Sequence, residues 1–216
     1  MAKEDGCVYR IIEDLFSRRE LRRMSVDWPW QSCGGWLRYD SPGELKMAMR
    51  DGLPDALREG LTVLDSICPF KFKQDPTRHG AGAHMLPIGG FLDPHLDCDV
   101  HPKTGYRRAQ NAILFLDDFL PAWGGDLFLY APDLSGQAKR ITPKAGRVVV
   151  FDCDDKSYHG VPGPICGPIP RRSLAVYWWE PMPAEWVPKR KRAQFVAMAT
   201  DEPNAEKDLW RRQRCQ

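Results

Sequence analysis

The sequence has no apolar run of membrane-spanning length, no internal repeat, no low-complexity segment and no C-x-x-C pair, and it holds only five histidines. Each absence narrows the reading. Without a long apolar stretch no spanning helix is expected. Lys and Arg number 31 against 29 Asp and Glu, a net charge of +2, so no field of one sign points to nucleic acid or a membrane surface. The first six residues, Met1 to Gly6, carry charge and no apolar core, so no signal peptide is expected and the expected compartment is cytoplasmic. Seven cysteines (7, 33, 68, 98, 153, 166 and 215) are odd in number and scattered, which argues against a disulfide framework or a structural zinc site. Buried, reduced thiols are the expectation, in keeping with a reducing cytoplasm.

What is present suits one packed domain. The chain of 216 residues is 43% hydrophobic and 11% aromatic, enough to bury a full core without a second sizeable domain. Val8 to Phe16 reads as an extended entry, and Ser17-Arg18-Arg19-Glu20 is a capping box that predicts a short helix from near Arg18. Residues 25–40, with Trp28, Trp30 and Trp36 among Pro and Gly, read as a packed loop. Ser41-Pro42-Gly43-Glu44 forms a second capping box, predicting a helix through about Met49. A third helix is expected after Pro54, with Leu57, Leu61, Leu64 and Cys68 as its apolar stripe.

From about Gly80 the pattern turns to short β runs punctuated by Gly and Pro: Ala83–Ile88, the stretch around His95, Asn111–Leu116, Asp126–Tyr130, Lys139–Ile141, Arg147–Phe151, Tyr158–Val161 and Ser173–Trp179. No helices intervene, so a double-sheet jelly roll with N-terminal helical support is expected rather than a βαβ fold. The divisions are 1–78 as supporting strand and helices within the same domain, 79–180 as the core, and 181–216 as a basic extension. Within that extension Pro188 to Arg192 reads as a solvated charge run, residues 193–200 as a helix, and basic residues 211, 212 and 214 close the chain.

One stretch carries the chemistry, Gly89-Gly90-Phe91-Leu92-Asp93-Pro94-His95-Leu96-Asp97-Cys98-Asp99-Val100-His101. In extended backbone His95 and Asp97 point the same way. An imidazole beside a carboxylate makes up most of a two-His-one-carboxylate site, the donor set of ferrous oxygenases. Asp99 and His101 share that face if the strand stays regular, but Pro102 and a Lys-Thr-Gly turn end it near His101. A third ligand is offered by His159, in a late strand ahead of the Arg-led apolar run Arg171 to Trp179. His79 and His84 precede the motif and take supporting or surface roles by default. Arg171 and Arg172 fall on opposite faces, so only one can turn inward, and a fixed planar cation suits a carboxylate.

In this order (His-x-Asp, a distant His, then Arg before an apolar strand) the chain resembles the 2-oxoglutarate- and Fe(II)-dependent oxygenases. The run Arg107 to Asp117 and Trp123-Gly124-Gly125-Asp126-Leu127 resemble their prolyl-4-hydroxylase-like branch. The resemblance implies a double-stranded β-helix, with Fe(II) held by His95, Asp97 and His159 and 2-oxoglutarate by Arg171 with Ser173. It also implies O2 as oxidant, succinate and CO2 as co-products, and ascorbate as a candidate cofactor. The tyrosine that resemblance to the hypoxia-type prolyl hydroxylases would put on the strand holding Leu114 and Phe115 has no counterpart, which makes Asn111 or Tyr106 candidates for its hydroxyl's place. Because Asp97 is a carboxylate, hydroxylation is the implied outcome rather than halogenation.

The substrate stays open at this point: a prolyl residue in a polypeptide, a small metabolite or a glycan all suit the motif. A nucleic-acid substrate is disfavoured, because the last strand lacks the second arginine of the demethylase branch. A non-catalytic jelly-roll binder stabilised by metal would have no need of Arg171. His101–Tyr106 and the Pro-rich Val161–Pro170 are candidate lids.

Overall fold

The computed structural model describes residues 2–4, 7–134 and 139–196. Thirteen strands, two α-helices and a 3-10 turn at Pro121–Trp123 appear among them. The chain begins with β1 (Ala2–Glu4) and β2 (Cys7–Ile12), then α1 (Arg18–Val26), β3 (Leu37–Ser41), β4 (Glu44–Met49) and α2 (Asp55–Ser66). The core follows as β5 (Gly82–Leu86), β6 (Phe91–Leu96), β7 (Arg107–Phe115), β8 (Leu127–Leu129), β9 (Lys139–Ile141), β10 (Val148–Asp152), β11 (His159–Val161) and β12 (Arg171–Glu180). A two-residue strand, β13 (Gln194–Phe195), comes last.

Pairing runs β1-β2-β10-β7-β12-β5-β4-β6-β11-β8-β9, a single antiparallel path that curls on itself. Strand β4 is the seam: Met47 to Met49 pair with β5, while Glu44 and Leu45 pair with Leu92 and Phe91 of β6. This is the jelly roll expected from the run of short strands. Strand β2 pairs with β10, so the N-terminal segment lies in the same sheet as the core.

Strand parity decides what each sheet face does, since alternate side chains take opposite faces. The register sets Leu114 beside both Val148 and Leu174, and Ala112 beside Val150 and Val176. These even-numbered residues, with Trp178, pack against Met24 of α1 and Leu57, Leu61 and Leu64 of α2 in the main core. The odd-numbered set turns inside the curl, where Phe115, Val149 and Phe151 form a second cluster with Leu127 and Leu129. Arg171, Ser173, Ala175 and Tyr177 share that parity, and so do Asn111 and Ile113.

Helix α1 carries the reciprocal cap expected of Ser17 and Glu20. The second capping box is a correction: Ser41-Pro42-Gly43-Glu44 is the turn of the β3–β4 hairpin, with Ser41 opposite Glu44. Pro-Gly between two runs able to pair satisfies a hairpin turn as well as a helix start, and pairing with β5 and β6 decides in favour of strand. The same hairpin corrects the loop expected over 25–40, whose last residues belong to β3.

In the basic stretch after Pro188, Lys189, Lys191 and Arg192 are exposed as expected, whereas Arg190 departs from a solvated surface and is only 8% exposed. In the predicted 193–200 helix, the described part is β13 paired to β6. Residues 197–200 and the basic positions 211, 212 and 214 lie outside the described residues, as does Cys215. Five described cysteines form no disulfide, but Cys33 and Cys166 are exposed rather than buried. Among the described residues no helix is long and apolar enough to cross a membrane.

Candidate metal centre

Strands β6 and β11 bring His95 opposite His159 in register. Asp97 follows just past the end of β6, where the chain leaves the strand. One ligand atom from each of His95, Asp97 and His159 lies within 4.8 Å of the others. The two imidazoles lie 4.3 Å apart between ring centres, tilted by 50°, and each Nε2 lies 3.8 Å from an oxygen of Asp97. Gly160 makes the pairing tight, since a Cβ there would lie 2.7 Å from the Leu92 carbonyl oxygen.

Hydrogen bonds fix the tautomers. His95 Nδ1 lies 2.9 Å from the Asp93 carbonyl oxygen, and His159 Nδ1 is 2.9 Å from that of Ser157. A carbonyl only accepts, so both Nδ1 atoms donate and both Nε2 lone pairs face the centre, the arrangement that orients metal-binding imidazoles. Burial pushes His95 down to about 3, helped by the neighbouring His159, and burial lowers His159 as well. Both rings are therefore neutral at ordinary pH, as a ligand must be.

Asp97 is held ionised from the other side. Burial opposes its charge, but the attraction of Arg108, joined in acid by that of the protonated His159 and His95, holds the carboxyl well below its usual range. Arg108 Nη1 lies 3.1 Å from Asp97 Oδ2, and its guanidinium stacks 3.8 Å over the Tyr177 ring. Its Nη2 also donates to Cys98 Sγ at 2.9 Å. Arg108 thus holds Oδ2, the oxygen nearer His159, while Oδ1 faces His95.

Asp99 and His101 go elsewhere. The Asp99 carboxylate accepts from the backbone N–H groups of Lys189 and Arg190, at 2.9 and 3.0 Å. His101 Nε2 faces Asp75 Oδ2 at 3.0 Å, while its Nδ1 accepts from Lys103 and Thr104. With β6 ending at Leu96, the regular alternation that would have kept them on the ligand face stops.

A pocket opens beside the three ligands, lined by Arg171, Ser173, Asn111 and Tyr177 with aliphatic walls including Leu86, Ile113, Leu127 and Val161. Arg171 is 6% exposed, stacks 4.7 Å from the Phe115 ring, and leaves Nε and Nη2 buried without a hydrogen-bond partner. Asn111 Oδ1 is likewise buried and unpartnered. Arg172 turns the other way, into an ion pair with Asp117 at 2.6 Å. Buried unpaired guanidinium nitrogens are costly unless an anion meets them, so the pocket fits a carboxylate-bearing ligand at Arg171 and a metal cation at the three convergent donors.

Three lining residues escaped the sequence reading. Tyr177 was within reach of it, because the alternation that pairs Arg171 with Ser173 continues to Ala175 and Tyr177. On β12 it stands opposite Asn111 in register, and its side chain lines the pocket. Lys46, which pairs with Glu44 at 3.0 Å, was hidden by the false helix over residues 44–49. His84, assigned a supporting or surface role, is neutral in the wall, pushed by burial to about 3 with Nε2 3.2 Å from the Gly80 carbonyl oxygen. His79 lies outside the pocket, edge-on to His101. Both candidate lids are anchored, His101 by Asp75 and the later loop by paired backbone bonds of Ile165 with Gly89 and Gly90.

Residues 81–179 match the model of the 2OG-Fe(II) oxygenase superfamily. Human prolyl 3-hydroxylase 3 is 29% identical over 139 residues, 58% of this chain but only 18% of that protein. Among solved structures, a Pseudomonas putida prolyl-4-hydroxylase aligns over 81% of this chain and 93% of its own, with a TM-score of 0.60 and 18% identity. A Trichoplax adhaerens prolyl hydroxylase, solved with a hypoxia-inducible factor peptide, covers 80% of this chain and 83% of its own at a TM-score of 0.59 and 16% identity. At such identities the structural likeness speaks for the fold.

Proposed function

We propose that the chain, whose residues 81–179 match the model of the 2OG-Fe(II) oxygenase superfamily, is an oxygenase of the prolyl-hydroxylase-like branch that hydroxylates an unactivated C–H bond, a prolyl residue in a polypeptide being the substrate favoured. The observation that carries the reading is the unpaired Arg171 guanidinium, buried in the same pocket as three convergent ligand atoms. A metal site kept for stability alone would leave that cation without purpose.

In this reading His95, Asp97 and His159 would hold Fe(II) through their three convergent donor atoms. Arg171, whose Nε and Nη2 lack partners, would bind the distal carboxylate of 2-oxoglutarate, with Ser173 and Asn111 of the same pocket as further partners. Iron and 2-oxoglutarate supply the oxidation when bound, with succinate and CO2 as co-products. Arg108 holds Asp97 charged and oriented, and the aliphatic wall keeps bulk water from the reacting face. The peptide assignment leans on relatives named as prolyl hydroxylases, one solved with a peptide.

The test is an incubation of Fe(II)-loaded protein with 2-oxoglutarate and proline-containing peptides, reading succinate and peptide mass together. Gain of one oxygen mass on proline, matched by succinate and lost in Asp97→Ala, is the expected result. Succinate formed with a small metabolite and never with a peptide would reject the polypeptide substrate.

A further inference from the structure

The C-terminal segment, set apart by its basic run, lies along the metal-binding stretch. Gln194 and Phe195 pair antiparallel with Leu96 and His95, and Val196 N–H donates to the Pro94 carbonyl oxygen at 2.9 Å. The Phe195 ring sits 5.2 Å from the His95 ring and fills the space over Gly43, where a Cβ would lie 2.7 Å from it. Strand β4 covers the outer edge of β6 only at Phe91 and Leu92, so β13 continues that edge beside His95.

Arg190 makes the closest connection. Its Nε donates to the backbone carbonyl oxygen of Asp97 at 3.0 Å, and its Nη1 meets Asp155 at 2.6 Å. Its backbone N–H donates to Asp99 Oδ1 at 3.0 Å, while its carbonyl accepts from Asp99 N–H at 2.9 Å. One buried side chain therefore ties the ligand-bearing backbone at 97 to the loop holding Asp155, four residues before His159. A merely solvated charge would make none of these bonds.

We infer that Arg190 is a positioning residue for the metal centre, and that residues 189–196 form a strap that holds His95 and Asp97 in the geometry a metal requires. The inference rests on His95, Asp97 and His159 being the metal ligands. The strap acts from outside the pocket: Phe195 buttresses one ligand's ring and Arg190 anchors the other's backbone. Groups that orient metal ligands in this way typically set metal affinity by about 10- to 100-fold.

The experiment is a titration of the full chain with Co(II), read by visible absorption, for wild type, Arg190→Gln, Arg190→Lys and Phe195→Leu, beside the melting temperature of each protein in EDTA. The expected result is Co(II) binding weakened at least about tenfold in Arg190→Gln. Smaller losses are expected in Arg190→Lys, which retains the bond to Asp155, and in Phe195→Leu, with metal-free melting close to wild type in each. Wild-type affinity in Arg190→Gln and Phe195→Leu would overturn the inference. So would a fall in affinity matched by an equal collapse of metal-free melting, which marks a general structural role. If wild type itself binds no Co(II), the ligand assignment fails instead, which separates the two failures.

Discussion

Replacing Arg171 by Met separates binding from stability, because the two should move in opposite directions. Burial pushes the Arg171 guanidinium down to about 10 from its ordinary 12.5, against a smaller opposing pull from Asp126. At 1.36 kcal/mol per tenfold, holding that charge in the ligand-free pocket costs about 3 kcal/mol. For a base with a lowered value the cost is in full force below about pH 10 and fades only above it. A methionine of similar length removes the cost and forfeits the Phe115 stack, worth roughly 0.5–1 kcal/mol. The metal-free, 2-oxoglutarate-free variant should therefore be more stable by about 1–3 kcal/mol, a rise of several degrees in Tm for a chain of this size. Loss of two charge-assisted hydrogen bonds, about 3–6 kcal/mol, should weaken 2-oxoglutarate by a hundredfold or more. Calorimetric melting of the free protein and 2-oxoglutarate titration of the metal-loaded protein read the two effects. A lower Tm, or 2-oxoglutarate bound as tightly as by wild type, would refute the reasoning.

Gly160→Ala places a Cβ 2.7 Å from the Leu92 carbonyl oxygen, so β11 must move off β6; Mn(II) binding followed by electron paramagnetic resonance should weaken at least about tenfold, and unchanged binding would contradict this. Asp75 is held below its usual range because bonds from His79, Thr77 and His101 outweigh the effect of burial. Its contribution is present above about pH 4 and lost as pH falls through the lowered value, so Asp75→Asn should lose about 1–3 kcal/mol at neutral pH and show a flatter acid limb in urea melts. Trp178, fully buried between sheet and helices, donates Nε1–H to Asp65 at 3.3 Å. Trp178→Ala should cost about 3–5 kcal/mol in denaturant unfolding, and a loss below 1 kcal/mol would mean the core is not where it is described.

The β core was legible because its strands alternate so regularly that parity alone separates Leu174, Val176 and Trp178 from Arg171 and Ser173. The helices α1 and α2 were legible from a reciprocal cap and an apolar stripe. Failure came where local chemistry is degenerate and pairing decides. Ser41-Pro42-Gly43-Glu44 serves a helix cap or a hairpin turn, and only β5 and β6 as neighbours settle it, so Lys46 went unseen at the pocket. Arg190 was hidden for the opposite reason: nothing within a basic run tells which member will be buried by partners about ninety residues away. Asp97 and His95 were visible as a pair, whereas the role of Arg108 as partner of Asp97 needed the strand register of β7 and the turn after β6.

The central claim, that three convergent donors and one buried cation share a single pocket to hold Fe(II) and 2-oxoglutarate, is tested most directly by anaerobic titration of Fe(II)-loaded protein with 2-oxoglutarate. The visible charge-transfer absorption of the chelate is followed in wild type beside Asp97→Ala and Arg171→Ala. The account predicts a band that saturates in wild type, is absent or much weakened in Asp97→Ala, and needs far more 2-oxoglutarate in Arg171→Ala. Iron bound with no band at any 2-oxoglutarate concentration would contradict it.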